Sequence, residues 1–167
     1  TFAKLIAEKG DMVNADFINQ QIQACKNAIT FNDNPIQVDK LNLGSNINQG
    51  SINDNPAISF DGNTLVFTER RGISNVIFYS IKEREKWQLP MEITSQLNAG
   101  EDCATSSVNS DGTELYVYKN DNFDGNIYVS NLVNGAWTPI KKLNKNINTK
   151  FFESHATISN DGKKLFF

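Results

Sequence analysis

The stretch ISFDGNTLVF, residues 58–67, decides the reading of this chain because it returns twice. It recurs as VNSDGTELYV at 108–117 and as ISNDGKKLFF at 158–167. Asp61, Asp111 and Asp161 stand 50 residues apart, as do Gly62, Gly112 and Gly162, and Leu65, Leu115 and Leu165. Working outward in the same register, Ile47-Asn48, Leu97-Asn98 and Ile147-Asn148 repeat, Trp87 matches Trp137, and Ile77 with Ser80 matches Ile127 with Ser130. A fixed period of this length marks an array of like structural units. Each Asp-Gly pair between apolar runs reads as a hairpin turn, since Gly supplies positive φ without steric cost. In the first unit it joins a strand near 57–60 to one near 64–68. The β-branched and aromatic run 76–81 supplies a third strand, as 126–130 does in the second unit. A fourth strand closes each unit at Trp87 and Trp137, reached through the charged loop 82–86 and through Asn134-Gly135 respectively. Four strands per unit describe a propeller blade.

The expected fold is mainly β with a short α-helical N-terminal segment. Residues 1–34 read as a helical hairpin, and 35–167 as the start of a β-propeller, about two and a half blades long. In the lead-in, the apolar pattern of 2–9 stops at Gly10, a usual residue past a helix end. Asn14 or Asp16 then caps a second helix, on which Phe17, Ile18, Gln21, Ile22, Cys25, Ala28 and Ile29 follow the steps of one face. That face predicts a buried Cys25. Asn34 before Pro35 ends the helix. Equivalent positions should fill equivalent gaps, so Leu65, Phe67, Ile77, Trp87, Leu115, Val117, Ile127 and Trp137 are expected inside. Because closed propellers use about four to eight blades, the native protein is expected to continue past Phe167.

The composition narrows function. The net charge of -3 comes from 16 basic and 19 acidic side chains spread along the chain, with no basic run to follow a phosphate backbone. No apolar run approaches the roughly 20 residues that cross a bilayer. No charged n-region with an apolar h-region opens the sequence, so any signal peptide is expected outside it. Cys25 and Cys103 have no CxxC spacing and fit neither a zinc site nor a disulfide framework.

Candidate reactive residues read as structural. His155, beside Glu153 and Ser154, has no second His and no Gly-x-Ser-x-Gly elbow, as a triad or zinc site would require. The run Asn120-Asp121-Asn122-Phe123-Asp124-Gly125 imitates a Ca²⁺ loop, but Asn131 takes the position of the bidentate Glu. Asp61, Asp111 and Asp161 lie on different units and read as turn residues rather than as a carboxylate cluster. Glu69, Arg70 and Arg71 follow a strand and read as a solvated loop, with a rim where a partner could pair with them as the alternative. No catalytic, cofactor-binding or metal residue is assigned, no cofactor is expected, and the chain reads as non-enzymatic.

The repeat lacks the double glycine of kelch units and the spacer residue of the sialidase Asp box. It resembles the TolB-type (WD-like) propeller repeat, whose Ser-Pro-Asp-Gly turn precedes an aromatic strand. Here the turn is Ser59-Phe60-Asp61-Gly62, Asn109-Ser110-Asp111-Gly112 and Ser159-Asn160-Asp161-Gly162, so Phe60, Ser110 and Asn160 replace the family's Pro. The helical lead-in resembles the end of a tetratricopeptide array. This order of modules is similar to that of Bacteroidetes envelope proteins that continue into a carboxypeptidase-regulatory-like domain and an OmpA-like peptidoglycan-binding domain. The resemblance implies a periplasmic, outer-membrane-associated scaffold of type IX secretion or gliding, with envelope proteins as partners and peptidoglycan bound by a downstream domain. The alternative is the gating propeller of a prolyl oligopeptidase-type serine peptidase. A nucleophile elbow elsewhere in the full-length product would favour that alternative, and an OmpA-like domain the first reading.

Overall fold

The computed structural model describes Lys4 and residues 14–50, 52–121 and 123–167. The first expected helix, 2–9, lies outside the described residues except at Lys4. The chain divides into two compact units, Thr1–Asn42 and Leu43–Phe167.

In the first unit, α1 spans Ala15–Asp33. Asn14 is its cap: the side-chain oxygen accepts the Phe17 N–H at 3.0 Å, satisfying one of the donors a helix start leaves open. Asn34 ends it, its N–H returning to the Thr30 carbonyl. Burial stops early. Ile18 is buried and Ile22 half-buried, whereas Cys25 is exposed. The expectation of a buried Cys25 is corrected, because among the described residues nothing covers the helix beyond Ile22, and apolar spacing cannot bury a side chain without a covering surface.

The second unit is built of antiparallel hairpins. β1 (Asn53–Ile58), β2 (Thr64–Arg71) and β3 (Ser74–Glu83) pair in sequence order. The Asp-Gly connection is tight: the Gly62 N–H donates to the Ser59 carbonyl at 2.9 Å, and the Ser59 N–H to the Thr64 carbonyl at 3.0 Å. Gly62, Gly112 and Gly162 have φ of +73°, +73° and +69°, the left-handed region that disfavours a side chain. A two-residue turn, Gly72-Ile73, joins β2 to β3. The fourth strand is split. β4 (Lys86–Trp87) and β5 (Met91–Glu92) both pair with β3 on either side of Pro90, which lacks the N–H that a continuous ladder would use. After α2 (Thr94–Leu97) the pattern repeats as β6 (Cys103–Val108), β7 (Glu114–Asp121), β8 (Asp124–Val133), β9 (Ala136–Trp137) and β10 (Lys141–Lys142), with Pro139 at the split. A third hairpin, β11 (Thr157–Ile158) with β12 (Leu165–Phe166), turns at Asp161-Gly162.

Register explains the core. All eight side chains expected inside are buried. Val66 and Ile77 of the first sheet meet Leu115, Val117 and Trp137 of the second, with Leu97 between them. Ile127 and Tyr116, the second-sheet counterparts of Ile77 and Val66, pack with Ala156, Ile158 and Leu165 of the third hairpin. Each buried side chain of this kind contributes roughly 1.5–3 kcal/mol. Polar contacts fix the spacing: the Thr68 and Thr105 hydroxyls are 2.7 Å apart, and Thr68 Oγ1 also accepts the Thr105 N–H at 3.0 Å. The Phe60 N–H donates to the Ser110 carbonyl at 3.0 Å, linking two consecutive turns. The molecule is therefore mainly β with an N-terminal helix, its antiparallel sheets stacked in the manner of part of a propeller.

Candidate functional site

The loop around His155 is held together by an acid rather than by the imidazole. Glu153 is buried, its carboxylate accepts the Thr149 hydroxyl at 2.5 Å and the Thr149 N–H at 3.1 Å, and its own N–H donates to the Gly125 carbonyl. His155 is exposed at φ +54°. Its ring stacks on Tyr118 at 6.5 Å, and Nδ1 lies 2.8 Å from the Ser154 hydroxyl. The geometry therefore uses Glu153 as a loop clamp and leaves His155 on the surface.

In the Asn/Asp-rich run, Asn122 lies outside the described residues. Asp121 accepts the Tyr128 hydroxyl and sits 3.8 Å from Lys119 and 3.9 Å from Lys142. Among the described residues no group of three or more His, Cys, Asp or Glu side chains converges. The Asp-Gly carboxylates are tied into their own turns. Asp61 accepts the Ser59 hydroxyl and the Asn63 N–H, Asp111 the Thr113 hydroxyl and N–H, and Asp161 the Ser159 hydroxyl and the Lys163 N–H. These donors hold all three below the ordinary carboxylate value, the Ser59, Thr113 and Ser159 hydroxyls contributing most. Cys103 is buried in the core, where desolvation pushes its thiol up to about 12 and leaves it inert at neutral pH.

Glu69 and Arg71, read from sequence as solvated-loop residues with a rim as the alternative, line a cleft of about 270 Å³ on the face of the first sheet that carries Phe67. Its floor is apolar. Ile47 packs with Leu65, Phe67 and Trp87, and the Phe67 and Phe78 rings stack at 5.5 Å. Arg71 Nε donates to Glu69 Oε1 at 2.7 Å, its guanidinium lies 5.4 Å above the Phe78 ring, and Glu92 stands 3.9 Å away. A cation over an aromatic face beside two carboxylates is a polar handle on an apolar floor. Gly50 makes this closeness possible, since a Cβ there would meet the Glu69 carboxylate at 2.6 Å. Arg70 points elsewhere, pairing with Asp54 at 2.7 Å. The sequence carried the charged residues of the cleft. The floor was hidden because Phe67 and Phe78 come from two strands and meet only through the β2–β3 register.

No protein-family model and no curated protein matches the chain. Among solved structures it is similar to the crystal structure of TolB from Acinetobacter baumannii, at 23% identity and a TM-score of 0.48. The match covers 66% of this chain and 25% of that one, so the chain spans about a quarter of the length of the structure it matches.

Proposed function

We propose that the chain is part of a non-enzymatic protein-interaction scaffold of the bacterial cell envelope, periplasmic and associated with the outer membrane. The observation that carries this reading is the Arg71–Glu69–Glu92 group above the Phe67–Phe78 floor. Aromatic and arginine side chains in one partly open cleft supply the anchors on which protein interfaces depend. The sheets are successive blades of a propeller, and stacked repeats give a broad rigid surface. The envelope location rests on the resemblance of the Ser59–Gly62 type turns to TolB-type repeats. By the same resemblance, the helical lead-in ends a tetratricopeptide-like array, the partners are secretion or gliding components, and a downstream domain grips peptidoglycan.

The test is a pull-down from envelope extracts with the full-length protein as bait, beside an Arg71→Ala, Phe78→Ala variant. The wild type should retain envelope proteins that the variant loses. Retention of none, together with a hydrolase activity that His155→Ala abolishes, would overturn the proposal.

A further inference from the structure

Two residues at one repeat position are exposed to an unusual degree. Ile73 and Phe123 stand 50 residues apart at the tips of the β2–β3 and β7–β8 hairpins, 96% and 97% exposed. Tight hairpin turns select Gly, Asn or Asp, so a large apolar side chain at both tips has no explanation in turn formation. Phe123 also takes φ +67°, a conformation costly for a bulky residue and one that folded proteins retain mainly where a function uses it. Close to the second tip, Phe152 is exposed and tilts against Tyr118 at 5.7 Å, while Phe151 is exposed beside it.

The ground between the two tips is acidic. The Glu101 carboxylate accepts the Ser74 hydroxyl at 2.8 Å, and its carbonyl accepts the Asn75 N–H, which ties it to the first hairpin. The Asp102 carbonyl accepts the Asn120 N–H, which ties the next residue to the second hairpin. Asp124 directly follows Phe123. Among the described residues Glu101, Asp102 and Asp124 form no ion pair, whereas Arg70 is engaged by Asp54, Arg71 by Glu69 and Lys119 by Asp121, and Lys150 lies over the Phe151 ring.

We propose that this end of the second unit docks a basic protein segment. Apolar side chains of the segment cover Ile73 and Phe123, and its Lys or Arg side chains meet Glu101, Asp102 and Asp124. An anionic bilayer would accept the apolar tips but would be repelled by the carboxylates between them, whereas a cationic peptide satisfies both features. The inference rests on the interaction-scaffold reading but not on its envelope location.

The experiment is selection of a phage-displayed random peptide library on the full-length protein, followed by affinity measurement with the enriched peptides. Enriched sequences should combine apolar residues with Lys or Arg and bind more weakly as salt rises. They should lose about tenfold or more in affinity for an Ile73→Ser, Phe123→Ser variant. Because both side chains are exposed, that variant should melt with the wild type. An Asp102→Asn, Asp124→Asn variant keeps the tips and should lose most of the salt dependence. An acidic consensus, no enrichment, equal affinity for the tip variant, or binding to phosphatidylglycerol vesicles that the tip variant abolishes would each overturn the proposal. A failed envelope pull-down with a successful selection removes the location alone. The converse removes this surface alone.

Discussion

Gly112→Ala separates two demands that the three repeat-turn glycines place on the chain. Gly62 and Gly112 share φ +73°, so a methyl group at either position bears the left-handed penalty, roughly 1–2 kcal/mol. Their surroundings differ. A Cβ at Gly62 would find nothing within 4 Å, whereas one at Gly112 would press on Thr64 Oγ1 and lie 2.6 Å from Thr64 Cβ. Thr64 is buried at the start of β2 and β-branched, so it cannot swing aside freely. The neighbouring turns are also joined by the Phe60–Ser110 hydrogen bond at 3.0 Å, which resists separation of the sheets. Overpacking of this kind costs about 1–3 kcal/mol beyond the conformational term. The expected losses are about 1–2 kcal/mol for Gly62→Ala and about 2–5 kcal/mol for Gly112→Ala. Urea unfolding of the two variants beside the wild type measures both, read as midpoint shifts at an unchanged slope. Equal destabilisation by the two substitutions would refute the close approach between the sheets.

Thr68→Val should destabilise more than Thr105→Val, because Thr68 Oγ1 accepts the Thr105 N–H as well as sharing a hydrogen bond with the Thr105 hydroxyl. Orphaning the buried N–H costs about 1–3 kcal/mol, and urea midpoints in the reverse order would contradict this pairing. The turn aspartates predict an acid limb. Their folded values lie below the ordinary 3.8, so their contribution is complete above about pH 4 and is lost as pH falls through the lower folded values. An Asp61→Asn, Asp111→Asn variant should lose less stability than the wild type on that limb, and parallel acid limbs would count against the turn hydrogen bonds. Iodoacetamide under native conditions should label exposed Cys25, and buried Cys103 only after unfolding. Peptide mapping that finds Cys103 modified as fast as Cys25 would contradict its burial.

The recurring Asp-Gly pairs located the β1–β2, β6–β7 and β11–β12 hairpins, because a turn needing positive φ leaves a local mark in the sequence. The buried set was legible for a related reason: Leu65 with Leu115 and Trp87 with Trp137 occupy like places in like sheets. What escaped depended on contacts between distant segments. The fourth strand reads as continuous until its pairing with β3 is seen to lapse around Pro90. β1 and β6 carry bulges between Asp54 and Ala57 and between Thr105 and Ser107, set by register against β2 and β7. Cys25 kept the spacing of an apolar face, but among the described residues no surface covers it. At the candidate site Glu69 and Arg71 stood out by charge, but their aromatic floor required strand pairing. Ile73 and Phe123 look like ordinary exposed apolar residues one at a time, and only the repeat register makes them a pair.

The central claim, that these repeats bind proteins and do not transform a substrate, is tested most directly by cross-linking mass spectrometry of the full-length protein in intact envelopes. The account predicts links from Lys119, Lys142 and Lys150 to one or a few other envelope proteins, lost when Arg71, Phe78, Ile73 and Phe123 are replaced together. Links confined to the protein itself and unchanged by those replacements, alongside substrate turnover that His155→Ala abolishes, would contradict it.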